Sequence, residues 1–370
     1  MSTDSALEWL TLYRAFATGS AGCLSALEAA GGDIGLAASR VLGDRKSIAA
    51  VTRAASEAQR DCDWLAASGT ALITWHDSRY PPLLRRIPNA PFLLFAQGDL
   101  DALWTPQLAI VGSRQATAGG VATARDFASA FVERGFCVVS GLAAGIDAAA
   151  HAGALDAGGL TVAVLGTGLD RIYPNRNTAL AERVRAAGAL VSEFPPRTVP
   201  RREHFPRRNR IISGLALGTL VVEASLGSGS LITARMATEQ GREVFAIPGS
   251  IHNPLAKGCH RLIRDGAKLV ESAQEIMDEL RPLVSEWRSS LSLHESVEQI
   301  RHSAQTHSDA LDDPDYSSLR QALGYDPVGL DELHARTRLT VPVLSSMLLR
   351  MELEGEVVAN PGGTYSRNAG

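Results

Sequence analysis

"LAIVGSRQATAGGVATARDFASAFVERGFCVVSG", residues 108–141, decides the fold. It opens with an unbroken apolar run, "LAIVG" (108–112), and turns through "GSRQATAGG" (112–120). It continues into "VATARDFASAFVERG" (121–135), which has helical spacing, and closes on a second apolar run, "CVVSG" (137–141). Neither run alternates polar with apolar residues, which is the pattern of strands buried on both faces. A strand, a turn, a helix and a strand make one right-handed βαβ unit.

The same grammar continues along the chain. Further strand-length runs are "TVAVLG" (161–166), "ALVSE" (189–193), "TLVVEA" (219–224), "EVFAIPG" (243–249) and "AKLV" (267–270). Helical segments separate most of them, "NTALAERVRAAG" (177–188) among others. The repeat predicts an α/β fold with a doubly wound, extended Rossmann parallel sheet over residues 79–285. Residues 1–75 read as a small helical domain broken at Gly31-Gly32 and Gly43. Residues 286–315 are polar and read as a linker. Residues 316–370 read as three helices and a hairpin around Pro361-Gly362-Gly363, the plan of a winged helix.

Composition narrows the function classes. The chain has 370 residues, 45% hydrophobic, and a formal charge of −4. A core is affordable, and any polyanion must be met locally. Four scattered cysteines show neither zinc nor disulfide spacing. The N-terminus lacks a signal-peptide pattern and no apolar run reaches the length of a membrane span, so the expectation is a soluble, reduced, cytoplasmic protein.

In an open α/β sheet the ligand sits beyond the carboxyl ends of the strands. Those ends carry "GSR" (112–114), "SGLAAGIDAAAH" (140–151), "GTGLDRIYPN" (166–175), "SEFPP" (192–196) and "EASLGSGSLITA" (223–234). Gly, Ser and Thr dominate, and several loops run straight into helices, so backbone N–H groups make anion sites there. Phosphate contacts are expected at Gly112, Ser113 and Arg114 and at Ser228, Gly229 and Ser230. Neither a G-x-G-x-x-G with its downstream acid nor a G-x-x-x-x-G-K-[ST] occurs, so no nucleotide cofactor is predicted.

The stretch "FPRRNRII" (205–212) concentrates positive charge. Six arginines between 197 and 210 face one acid, Glu203. Pro206 fits a helix's first turn, which puts Arg207, Arg208 and Arg210 where they oppose the helix dipole. A bound polyanion would compensate. Phe205 would either stack on a base or staple the helix to the core, and Arg210 would pair with a buried carboxylate, Glu223 being the expected one. Glu223 is itself expected to accept loop N–H groups. The alternative is that it serves as the base of a nucleotide N-glycosidase or phosphoribohydrolase. Asp147, His151 and Ser140 read as structural, since no nucleophile elbow is present.

Together "GSR", "SGLAAGIDAAAH", "YPN", "SEFP", "FPRRNRIISGL", "VVEASLGSGSLITA" and "VFAIPGSI" resemble, in order, the motifs of the DNA-processing protein A family (DprA, or Smf). "RYPPLLRRIPNAPFLLFAQGDL" (79–100) resembles the segment before that family's first Rossmann strand. The resemblance implies a SAM or helix-hairpin-helix-like N-terminal domain and a C-terminal winged helix. It also implies single-stranded DNA binding without sequence preference and loading of the recombinase RecA during natural transformation, past single-strand-binding protein. Further implications are a homodimer, no cofactor and no established catalytic turnover. Carried over by position, the DNA contacts are Gly112, Ser113, Arg114, Phe205, Arg208, Asn209 and Arg210. Arg202 and Arg207 complete the expected basic edge; the family often has a basic residue where this chain has Glu203. The winged helix holds five basic against six acidic residues, and its third helix offers Ser345, Ser346 and Arg350, a set ill suited to base edges. Protein contact or weak DNA binding is expected of it.

Overall fold

A computed structural model describes residues 3–17, 19–43, 48–285, 287, 314–324, 328–341, 343–344, 347–348, 351, 357–360 and 364–367. Contacts divide the chain into two compact units, Met1–Ser285 and Glu286–Gly370.

The first unit is built on a nine-stranded sheet in the order β1-β2-β6-β5-β4-β3-β7-β8-β9. Its strands are β1 (Ala71–Thr74), β2 (Leu93–Gly98), β3 (Gln107–Val111), β4 (Cys137–Ser140), β5 (Thr161–Leu165), β6 (Ala189–Ser192), β7 (Gly218–Val221), β8 (Glu243–Ala246) and β9 (Lys268–Leu269). The seven from β3 to β9 are the predicted ones and pair parallel throughout. The chain winds outward from β3 through β4, β5 and β6, then returns and winds the other way through β7, β8 and β9. The topological switch point therefore lies between β3 and β7. Two strands were not expected: β1 and β2 form an antiparallel pair that extends the sheet from β6.

Helices cover both faces. They are α1 (Thr3–Ala15), α2 (Ser20–Ala29), α3 (Ile34–Gly43), α4 (Ile48–Ser68), α5 (Pro82–Arg85), α6 (Ala118–Val132), α7 (Ile146–Asp156), α8 (Thr178–Ala187), α9 (His204–Leu215), α10 (Ser230–Glu239), α11 (Lys257–Arg264) and α12 (273–285). Successive residues of one strand feed opposite cores. In β5, Val162 and Val164 join the cluster beneath α9 and α10, while Ala163 and Leu165 join the other. That explains the unbroken apolar runs.

The second cluster corrects one expectation. The N-terminal helices do not stand apart as a unit ending at residue 75. Trp9, Leu10, Leu12 and Tyr13 of α1, with Cys23 and Leu27 of α2, pack into one core with Phe92, Phe95, Leu165 and Leu190 of the sheet. Each fully buried large side chain of this kind contributes about 2 kcal/mol, so the helices are held to the sheet through a shared interior.

The second unit has α13 (Pro314–Ala322), α14 (Leu330–Thr337) and a three-stranded sheet ordered β10-β12-β11. The strands are β10 (Val328–Gly329), β11 (Val357–Asn360) and β12 (Thr364–Arg367), paired antiparallel. Leu319, Leu333, Leu344, Leu348, Met351 and Val357 form its core. The expected linker apart from Trp287, Pro314 and Asp315, the third-helix residues Ser345, Ser346 and Arg350, and the Pro361–Gly363 turn lie outside the described residues.

Candidate functional site

A cleft of about 720 Å³ opens at the switch point, where the loops after β3, β4, β5 and β7 meet the start of α9. Two glycines let these loops close on one another. Gly145, at φ 78°, lies where a Cβ would come within 2.2 Å of the Ser113 carbonyl oxygen. A Cβ on Gly112 would meet the Glu223 carbonyl oxygen at 2.9 Å. Across that contact the Ser113 N–H donates to the same oxygen at 2.7 Å.

The Glu223 side chain is committed nearby. Its Oε2 accepts the Thr117 N–H at 2.9 Å and its Oε1 accepts the Thr117 hydroxyl at 2.6 Å. Thr117 in turn caps α6 by accepting the Gly120 N–H at 3.0 Å. Glu223 thus accepts from a loop, as expected. The expected arginine partner is absent: Arg210 pairs elsewhere. Both carboxylate oxygens accept from Thr117, and Glu223 is not among the residues lining the cleft.

The two Gly/Ser turns differ. In the first, the Ser113 amide is taken by the Glu223 carbonyl and the Gln115 amide by Ser113 Oγ, and Arg114 is exposed. In the second, Ser228 Oγ and Ser230 Oγ are 2.6 Å apart and the Ser230 N–H turns back to Ser228 Oγ at 3.3 Å. The amides of Gly227 and Gly229 make no hydrogen bond within the described chain. They stand at the N-terminus of α10, whose dipole favours an anion.

Aromatic rings line one wall. The Arg114 guanidinium lies 5.2 Å from the centre of the Phe205 ring. Tyr173 meets the same ring at 5.7 Å and is 42% exposed. A side pocket of about 100 Å³ behind the pair adds Arg176 and Ala144. Arg202 is exposed at the cleft rim. Neither Tyr173 nor Arg176 was singled out in the sequence, although "YPN" marked their loop.

Ten of the twelve predicted residues line this cleft: Gly112, Ser113, Arg114, Arg202, Phe205, Arg208, Asn209, Ser228, Gly229 and Ser230. Arg207 and Arg210 do not. Three residues apart on α9, they share a face turned away from the cleft, toward the fully buried Glu193. Arg207 Nε donates to Glu193 Oε2 at 2.7 Å, and Arg210 Nη2 donates to Oε1. The buried carboxylate, and not a bound polyanion, compensates these two charges at the helix start.

Arg208 lines the cleft floor yet is 4% exposed. Its Nη1 donates to the carbonyls of Gly141 and Val164, and its Nε to Asn209 Oδ1 at 3.1 Å. Burial pushes its pKa down to about 10, opposed by the Asp147 carboxylate, so it stays charged at neutral pH. Burial likewise raises Asp147, with Arg208 pulling it back; its Oδ2 accepts the Gly141 and Ala143 amides. Asp147 is the only acid among the cleft-lining residues.

His151 is structural. The Thr161 hydroxyl donates to the Val138 carbonyl at 2.7 Å, so it accepts from His151 Nδ1–H, also at 2.7 Å. Nε2 is left without a partner in the core, and burial drops the pKa to about 3. Ser140 donates to the Ile110 carbonyl at 2.6 Å. No group of three or more potential metal ligands occurs among the described residues, and no described helix is long and apolar enough to cross a membrane.

Comparison with known proteins adds a family. The sequence pattern of DNA recombination-mediator protein A matches residues 71–281, and that of the DprA winged helix domain residues 303–363. Protein Smf of Escherichia coli is 44% identical over 301 residues, 81% of this chain and 78% of that one. DNA processing protein DprA of Streptococcus pneumoniae is 49% identical over 203 residues, 55% of this chain and 72% of its own. The crystal structure of the S. pneumoniae protein superposes with a TM-score of 0.66 at 38% identity, covering 75% of this chain and 98% of that one. DNA processing protein A of Helicobacter pylori, described for its single-stranded DNA binding mode, superposes at 0.53 with 26% identity, covering 58% and 96%.

Proposed function

Because this chain belongs to the DNA recombination-mediator protein A family, we propose that its switch-point cleft binds single-stranded DNA without sequence preference. The observation that carries the reading is the triad of Arg114, Phe205 and Tyr173 facing the Gly227–Ser230 turn across one cleft. Phosphates lie at the Ser113–Arg114 turn, at the free amides of Gly227 and Gly229, and beside Arg202. A base stacks on Phe205 or Tyr173, a contact worth roughly 1–3 kcal/mol and indifferent to base identity. Arg208 and Asn209 shape the floor. Arg207 and Arg210 contribute through Glu193 instead of by touching the strand.

The finer reading follows the family. A cytoplasmic homodimer holds the strand, displaces single-strand-binding protein, and delivers the strand to RecA during natural transformation, with no chemical turnover. Two copies side by side raise avidity without new contacts.

Fluorescence anisotropy with short labelled oligonucleotides tests the central claim. Affinity should fall with salt, at a slope of about −0.7 per neutralised phosphate, and blunt duplex should bind far more weakly. A flat salt dependence, or equal affinity for duplex, overturns it. RecA filament formation on strands coated with single-strand-binding protein tests the delivery step. Light scattering after gel filtration tests the dimer.

A further inference from the structure

The segment from Glu193 to Arg210 carries the basic and aromatic wall of the cleft, and the N-terminal helices grip it at both ends. At its start, Arg197 Nη2 donates to Asp61 of α4. Asp61 is fully buried and also takes Arg14 of α1, at 2.7 Å from Nε and 2.8 Å from Nη2. At its far end, Arg207 and Arg210 converge on Glu193. Glu193 is held from the helical side: Ser20 of α2 donates to Oε1 at 2.6 Å, and the Tyr13 hydroxyl of α1 donates to its carbonyl at 2.7 Å.

The free cleft groups, Arg202 and Phe205, lie between these anchors. Neither anchor touches the cleft, and both spend buried carboxylates on arginines that a strand never needs to reach. The loop after β5 holds the segment too, through the Arg197 N–H on Asp170 and His204 near the Gly166 carbonyl. Those contacts fix the backbone locally. The helical anchors fix it against the opposite layer of the molecule.

We propose that the N-terminal helices preset the cleft wall, with Asp61 and Glu193 as positioning residues that hold Arg202 and Phe205 in the binding arrangement before DNA arrives. A wall already in place spares the strand the cost of ordering it. A wall that spends only part of its time in place weakens apparent affinity by that fraction. The proposal rests on the cleft being the strand's binding site.

The test uses the full chain and two variants, Arg197→Gln and Asp61→Asn, with a labelled oligonucleotide. Both should weaken binding about three- to tenfold at a temperature where circular dichroism shows them folded. The salt slope should stay at the wild-type value, because the contacts in the complex are unchanged. The two variants separate positioning from direct contact. Were Arg197 a phosphate ligand, Arg197→Gln would lower the slope by about 0.7, and freeing Arg197 with Asp61→Asn would tighten binding. Either result overturns the proposal, as does unchanged affinity in both. If Asp61→Asn fails to fold, Arg197→Gln, at a half-exposed side chain, decides alone. Hydrogen exchange of residues 198–206 in the free protein gives a readout without DNA: it should speed up in Arg197→Gln, and no change overturns the clamp. A wild-type chain that binds no oligonucleotide sinks the functional reading, while the exchange result still judges the clamp.

Discussion

On one face of α9, Arg207 and Arg210 close on Glu193; beyond the other, Arg114 and Arg202 border an open cleft. Four arginines of one local sequence neighbourhood or one site thus have two fates. The first pair is matched by a carboxylate with no exposure, and its charge is spent on holding the helix to α1 and α2. The second pair lines a cleft in which Asp147 is the only acidic lining residue, and Asp147 accepts loop amides and lies in the field of Arg208. Available charge is therefore what remains after buried acids have taken their share, not the count of arginines in a stretch.

Removing the shared acid should break the comparison hardest. Glu193→Ala leaves two guanidinium groups, one of them 13% exposed, without their carboxylate. Breaking a buried pair this way costs about 3–5 kcal/mol, read from urea unfolding. A loss under about 1 kcal/mol would mean that water or Ser20 and Tyr13 can replace it, and the two faces of α9 would differ less than described.

The cleft face should respond in affinity instead. Arg114→Ala with Phe205→Ala removes a charge-assisted contact and a stacking surface, together worth about 2–3 kcal/mol, or roughly 30- to 150-fold in oligonucleotide affinity. Unfolding free energy should barely move, and the salt slope should fall by about 0.7. Arg210→Lys should do the opposite, lowering stability and leaving the slope alone. Equal slopes for the two variants would erase the distinction between spent and available charge.

Much of this was legible in the residues and part was not. The seven parallel strands announced themselves because burial on both faces removes polar alternation, and the ligand edge followed from winding order. β1 and β2 escaped because an antiparallel pair at the sheet's edge carries no βα repeat, and Leu93–Ala96 reads like any apolar run. Glu193 was quoted only as the end of a strand run, "ALVSE", and within "SEFPP". Its partners Ser20 and Tyr13 lie 173 and 180 residues away, and no local pattern encodes contacts of that separation. The same blindness sent Arg210 to Glu223, the acid nearest the expected anion turn. Tyr173 was hidden for a simpler reason: an aromatic residue before proline in a loop looks the same whether it packs inward or faces a cleft.

Buried cations sharpen the lesson at smaller scale. Arg208 stays charged inside the protein because the field of Asp147 opposes its burial and two carbonyls accept its N–H groups. His151, on α7 below the same cleft, has only Thr161, and stays neutral with a pKa near 3. The sign of the consequence follows from linkage. An unfolded histidine, with a pKa of about 6.5, binds a proton below that pH that the folded one refuses, so stability falls as pH drops from about 6.5 toward 3. At pH 5 this amounts to about 2 kcal/mol. In His151→Gln the stability difference between pH 7.5 and pH 5 should shrink by about that amount relative to wild type. Comparing the two proteins removes the opposing contributions of Asp147 and Asp61, whose raised values favour the folded state in acid. An unchanged difference would show that the folded protein protonates His151 after all.

The smallest effect is expected from removing the C-terminal unit, which contributes none of the residues lining the cleft. The C-terminal unit carries five basic and six acidic residues from Tyr316 onward, and its core closes on its own leucines and methionines. All of the cleft's lining lies between Val111 and Leu255, inside the first compact unit. A chain ending at Ser285 keeps every phosphate turn, both aromatic rings and Arg202. Its oligonucleotide affinity should stay within about twofold of the full chain, less than 0.5 kcal/mol, with the same salt slope. A tenfold loss would assign the winged helix a direct share of the strand, and a lowered slope would count how many phosphates it holds.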